Sequence, residues 1–169
     1  TIQTVRPICD YNPWGTITGR LATQPRSFPI LTMNKEFRGC VKPKNDWFVE
    51  LDFNAAELRT LIALTGEEQP QIDIHEWNRK NIYRNIGSRE DAKKRIFAWM
   101  YNSKSEDFLS NRAYDKETVK NKYWDGSRVE TDYGRVIENV DDHHALNYIV
   151  QSTTIDMVHE QAYKVYELL

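Results

Sequence analysis

What this 169-residue chain lacks narrows its class before anything else does. It has only two cysteines, Cys9 and Cys40, too few for a disulfide framework and too far apart for a zinc spacing, so a reducing, intracellular setting is expected. No apolar run approaches the ~20 residues of a membrane span, and no membrane part is expected. The opening TIQTVRPICDYNPWG has no initiator Met, no basic region and no apolar core, so it is not a secretory signal and reads as the start of a processed or excised piece. A strong excess of either charge is also missing. The net charge of −2 argues against a uniformly basic nucleic-acid binder while leaving local patches open. Repeats, low-complexity tracts and Pro/Ser-rich linkers are absent, so the chain reads as one contiguous unit. With 40% hydrophobic and 28% charged residues, its composition is that of a globular protein able to bury a core.

What is present centres on residues 47–66, WFVELDFNAAELRTLIALTG. Trp47, Phe48, Val49 and Leu51 form an aromatic-rich run of strand length, and an apolar pattern at helical spacing opens after Asn54. Asp52 falls at the junction. A carboxylate leaving the end of a buried strand beside a helix N-terminus is well placed to hold a divalent metal. The plainer alternative is that Asp52 or Asn54 caps the helix, with Glu57 closing a capping box three residues after Asn54.

Residues 1–45, rich in Pro, Gly, Thr and Arg, are expected to be irregular. Within them Thr16-Ile-Thr-Gly-Arg20 suits either contact with a phosphodiester backbone or an ordinary turn with a solvated arginine. Glu67 to Pro70 should break the central helix. Asp73 then reads as the N-cap of a second helix, with His75 in its first turn, and Ser88-Arg-Glu-Asp91 as the capping box of a third. On that third helix Arg89, Lys93, Phe97 and Tyr101 recur every four residues and line one slowly turning face. Two cations followed by two aromatics could meet a triphosphate continuing into a sugar and base, or could be an ordinary amphipathic helix. Residues 104–121 suggest a short helical connector, and 128–135 a strand or hairpin. The Asp141-Asp142-His143-His144 cluster cannot converge on one ion, because consecutive residues diverge on a helix; Asp141 or Asp142 is the better cap. A long closing helix offers Ile149, Met157, Ala162, Val165 and Leu168 for core contact. It also carries Asn147 and Gln151 one turn apart, amides able to donate to minor-groove acceptors.

Taken together, these motifs resemble the polymerase core of family A DNA polymerases, the bacterial polymerase I type, in a compact phage-like version. Thr18-Gly-Arg-Leu21 resembles the family's TGRL, LDFNAAELR (51–59) its motif A, and Asp73-Ile-His75 its DIH. RxxxKxxxFxxxY from Arg89 to Tyr101 resembles motif B, and NYIVQSTTID (147–156) the segment opening the last helix before motif C. The resemblance implies an α+β fold, with a small antiparallel palm sheet and packed helices plus a helical fingers region. The divisions would be a first palm part over 1–72, fingers over 73–121, and a return to the palm over 122–169.

The implied activity is template-directed DNA synthesis, nucleotidyl transfer from a dNTP to a primer 3′-OH with two magnesium ions (Mg2+). Primer-template DNA and dNTP would be the partners, in the cytoplasm of a host cell if phage-encoded. By the resemblance, Asp52 would ligate both ions, with the carbonyl of Phe53 completing one site, and Glu57 would be the steric gate against a ribose 2′-OH. Arg89, Lys93 and His75 would hold the triphosphate, with Lys93 the acid to the leaving pyrophosphate. Phe97 would pack beneath the deoxyribose, Tyr101 would stack near the templating base, and Arg20, Asn147 and Gln151 would touch the primer-template minor groove. Three positions depart from the family pattern: Asn102 stands where it has Gly, Ala55 where it has Gln, and motif C, with the second metal-binding Asp, is absent. The chain alone is therefore expected to be inactive unless a second polypeptide supplies motif C; the alternative is a non-catalytic module binding primer-template or nucleotide.

Overall fold

Helix starts in this protein are set by side-chain oxygens that accept the free N–H groups of a first turn. The computed structural model describes residues 8–168. In it Asp73 Oδ1 accepts from the Glu76 amide at 2.8 Å and opens α3 (Ile74–Asn81). Ser88 and Asp91 close a reciprocal capping box, the Ser88 amide donating to Asp91 at 2.9 Å and the Asp91 amide to Ser88 Oγ at 3.1 Å, and this opens α4 (Arg89–Tyr101). Asp107 and Asp115 cap α5 (Phe108–Ala113) and α6 (Lys116–Tyr123), the connector expected from composition. Asp141 accepts from the His144 amide at 2.9 Å ahead of α7 (Asp142–Leu168). A one-turn helix, α1 (Lys35–Arg38), begins at Asn34.

The exception is α2 (Ala56–Thr65). Its N-cap is Ala55, in a left-handed conformation at φ 50° and without a side-chain cap. Neither Asp52 nor Asn54 caps it, and Glu57 closes no capping box, because the Glu57 carboxylate accepts the Tyr101 hydroxyl instead. Gly66, at φ 79°, ends the helix in a conformation a side chain would strain.

Two small antiparallel sheets accompany the helices. β1 (Tyr11–Asn12) pairs with β2 (Ala22–Thr23), and β3 (Val129–Glu130) with β4 (Val136–Ile137) in the register Val129 to Ile137. The hairpin over 128–135 is thus formed, and the fold is α+β with helix dominant. The strand expected over Trp47–Leu51 is not formed. That stretch is outside both sheets and its apolar side chains are exposed, Trp47 by 83% and Val49 by 81%. Strand propensity yields a strand only where a neighbour accepts and donates along the backbone, and no described residue does so here. Asp52 therefore does not stand at the end of a buried strand, and neither sheet carries it.

The chain divides into two compact units, one ending at Asp52 and one beginning at Phe53, where composition had suggested a single contiguous unit. The first has no buried large hydrophobic side chain among its described residues. The second holds the core: Leu58, Leu61 and Ile62 of α2, Ile96, Trp99 and Met100 of α4, Val119 of α6 and Ile149 and Val150 of α7. Within it α2 packs on α6 and α7, and α3 on α4. Beneath these contacts the Thr154 hydroxyl donates to Thr60 Oγ1 at 2.8 Å, fastening α7 to α2 in a buried setting. Of the residues on α7 expected to face the core, Ile149 does and Met157 is half-buried, while Ala162, Val165 and Leu168 are exposed. The helix outruns the surface that α2, α4 and α6 present to it.

Candidate functional site

The α3–α4 pair carries five of the side chains singled out from the sequence, His75, Arg89, Lys93, Phe97 and Tyr101. Arg89, in the first turn of α4, reaches back to the N-cap of α3: Nε lies 3.1 Å from Asp73 Oδ1 and Nη2 2.7 Å from Oδ2. This two-point geometry matches the planar guanidinium to the carboxylate. It holds the Asp73 carboxyl well below the usual carboxylate range and raises Arg89 in turn. Asp73 thus serves two helices, capping one and orienting the first cation of the other. Arg89 also contacts Glu90, at 2.6 Å.

His75, in the first turn of α3, is 3% exposed, and its Nδ1 is buried without a hydrogen-bond partner. Burial lowers its pKa, and the neighbouring Arg89 adds to that, so the ring is held neutral. Its ring packs against Phe97, centroids 5.8 Å apart and tilted, and Phe97 stacks on Tyr101 at 5.9 Å. Tyr101 in turn donates to Glu57 at the start of α2. The result is two linked runs drawn from three helices, Asp73 with Arg89 and His75 with Phe97, Tyr101 and Glu57, set so that the Arg89 charge is felt at His75. Lys93, one turn beyond Arg89, is exposed and forms no ion pair with a described residue.

Such an arrangement can accept an elongated ligand with charge at one end and a flat apolar part at the other. The cations sit at the N-terminal end of α4 and the aromatic rings at its C-terminal end. Glu57 is held by Tyr101 and so presents a fixed carboxylate beside the rings.

Arg20 is exposed in the first unit, where the Thr16 hydroxyl donates to its carbonyl at 2.9 Å. Asn147 and Gln151 are half-buried, one turn apart on α7. Asp52 is exposed at the end of the first unit, and Phe53, 44% exposed, begins the second. Among the described residues no group of three or more His, Cys, Asp or Glu side chains is arranged to hold a metal ion. Asp52 with the Phe53 carbonyl therefore does not by itself make a two-magnesium site, which needs several bridging oxygens. The Asp141 to His144 cluster behaves as the helix reading implies: Asp141 caps α7 and His144 lies 2.7 Å from it.

Two features were not legible in the sequence. Arg59 on α2 donates to the carbonyls of Asn54 (3.1 Å), Pro70 (2.9 Å) and Ile72 (2.9 Å) and to Gln69 Oε1 (3.3 Å). The Gln69 amide answers by donating to the Arg59 carbonyl at 2.9 Å. Residues 69–72 are thereby strapped to α2 immediately before the Asp73 cap. The second feature is a cavity of ≈ 530 Å³ between α2 and α7, lined by Phe53, Ala56, Thr60, Leu64, Thr153 and Met157 with Tyr133 of the hairpin at one side. Neither has a local pattern, since each depends on which elements come together.

Among the described residues no helix is long and apolar enough to cross a membrane. Compared with known proteins, the chain matches no family model, no curated protein and no solved structure.

Proposed function

We propose that this chain is a nucleotide-binding palm-and-fingers segment of a family A DNA polymerase, contributing to template-directed DNA synthesis with a partner or continuation that supplies the remaining metal ligands. The observation that carries this reading is the arrangement of Arg89, Phe97, Tyr101 and Glu57, with exposed Lys93 beside it. Nucleotidyl transfer depends on positioning and on stabilising charge on phosphate oxygens, so the protein's share of the work is to present cations and hold the sugar. Lys93 and Arg89 meet the phosphates. His75, neutral and buried, holds Phe97 in place as a floor beneath the sugar. Glu57, fixed by Tyr101, stands where a 2′-hydroxyl would have to fit. Among the described residues no group of three or more His, Cys, Asp or Glu side chains is arranged to hold magnesium, so further ligands would have to complete its site.

A second reading, a binding module without turnover, is favoured by the exposure of Asp52 and by the absence, among the described residues, of any group of three or more His, Cys, Asp or Glu side chains arranged to hold a metal ion. Binding of a fluorescent dNTP, followed by anisotropy, tests the nucleotide site common to both. Lys93→Ala and Arg89→Ala should each weaken it by about tenfold, as loss of a charge-assisted contact does. Glu57→Ala should narrow the preference for dNTP over rNTP. Unchanged affinity in the first two variants would remove the reading. Single-nucleotide primer extension, with and without an added polypeptide carrying motif C, separates enzyme from binding module.

A further inference from the structure

All three guanidinium nitrogens of Arg89 already donate to carboxylates: Nε to Asp73 Oδ1 at 3.1 Å, Nη2 to Asp73 Oδ2 at 2.7 Å and Nη1 to Glu90 Oε1 at 2.6 Å. Two negative charges thus stand on one positive charge. Arg89, Lys93, Asp73 and Glu90 are all felt at His75, two of each sign, so these charges cancel around it. A phosphate brought to Arg89 meets oxygens of its own sign already in place. Yet the hold is loose. The side chains of Asp73, Arg89 and Glu90 are 32%, 40% and 61% exposed, and ion pairs open to water are worth little. Asp73 also has a second use for its carboxylate, since Oδ1 accepts the Glu76 amide at 2.8 Å at the start of α3, where negative charge is favoured. Losing Arg89 leaves it capping a helix, not stranded.

We infer that Asp73 and Glu90 keep Arg89 self-paired in the free chain, and that a ligand is taken up by exchange, its phosphate displacing the two carboxylates from the guanidinium. The inference rests on the nucleotide reading above and adds how that site is regulated. Arg89 is withheld by its own neighbours, whereas Lys93, which forms no ion pair with a described residue, is open to meet the phosphate first. The exchange is between anions competing for one planar fork, and phosphate oxygens match that fork as a carboxylate does. No covalent bond is made or broken. A ligand without phosphate has nothing to offer Arg89 and leaves the pair closed.

Competition against a fluorescent dNTP, at low salt where exposed charges are little screened, compares unlabelled dNTP, inorganic triphosphate and the matching deoxynucleoside. Asp73→Asn keeps a side-chain acceptor for the α3 cap, and Glu90→Gln leaves that cap untouched. Each should tighten dNTP and inorganic triphosphate roughly threefold or more, by removing a charge that competes for Arg89, and leave the deoxynucleoside unchanged. The Arg89 Nε–H signal in a proton–nitrogen correlation spectrum, identified by its loss in Arg89→Ala, should move when inorganic triphosphate is added to the parent chain. Weaker triphosphate binding in the variants would show that the carboxylates aim Arg89 instead of withholding it, which overturns the inference. So does unchanged binding, and so does an Nε–H signal that stays put at saturating triphosphate. A loss of helix in Asp73→Asn, read by circular dichroism, leaves Glu90→Gln to decide. These results leave the nucleotide reading standing, because that reading fails on a different one: dNTP bound no better by the parent chain than by Arg89→Ala and Lys93→Ala.

Discussion

His75 is the residue whose burial has the clearest consequence in solution. Its ring is held neutral in the folded chain, with its pKa below the ordinary histidine value, whereas an unfolded histidine titrates near 6.5. Below about pH 6.5 the unfolded state binds the proton that the folded state refuses, so stability falls with falling pH until the folded ring itself protonates. The urea midpoint is expected to drop between pH 7 and 5.5, and His75→Gln to flatten that drop; equal slopes in both proteins would contradict the assignment. Ser88 supplies a second test at this scale. It closes both halves of the α4 capping box, so Ser88→Ala should cost about 1 kcal/mol in urea denaturation. A negligible change would mean that α4 is held by packing alone.

At the scale of elements, the question is how α2, which carries Glu57, keeps its place relative to α3, which carries Asp73 and His75. Arg59 provides the tie, taking three carbonyls and one side-chain amide oxygen across residues 54–72. A lysine ammonium cannot reproduce that planar fork. Arg59→Lys is expected to cost about 2 kcal/mol, the order of two lost partly buried hydrogen bonds, and to speed hydrogen exchange at residues 69–72. Exchange left unchanged there would show that the strap is held by other contacts. The same reasoning explains why α2 tolerates a left-handed alanine in place of a side-chain cap. Its first turn is held by Arg59 bonding back to the Asn54 carbonyl, and the Glu57 carboxylate is committed to Tyr101.

For the whole molecule, stability is concentrated from Leu58 to Val150, where all the buried large hydrophobic side chains lie among the described residues. The last turns of α7 add little, since residues 162–168 are exposed. Removing residues 162–169 should shift the unfolding free energy by no more than about 0.5 kcal/mol, the usual range for surface changes. A larger loss in a thermal melt would mean that these turns are covered in solution.

The caps at Asp73, Ser88 and Asp141, the hairpin over 128–135 and the four-residue recurrence on α4 were legible in the sequence, because each is a local bond or a fixed angular repeat. The α+β class was expected from the family resemblance, and the membership of Arg89, Phe97 and Tyr101 in one stripe from the four-residue recurrence. What local pattern could not decide was pairing. Trp47 to Leu51 has every intrinsic mark of a strand, yet a strand exists only in the company of another, and no described residue keeps it company. The Arg59 strap, the Glu57 to Tyr101 bond and the burial of His75 likewise arose only when distant segments met, because a side chain's partners are set by which helices pack together and not by its neighbours along the chain.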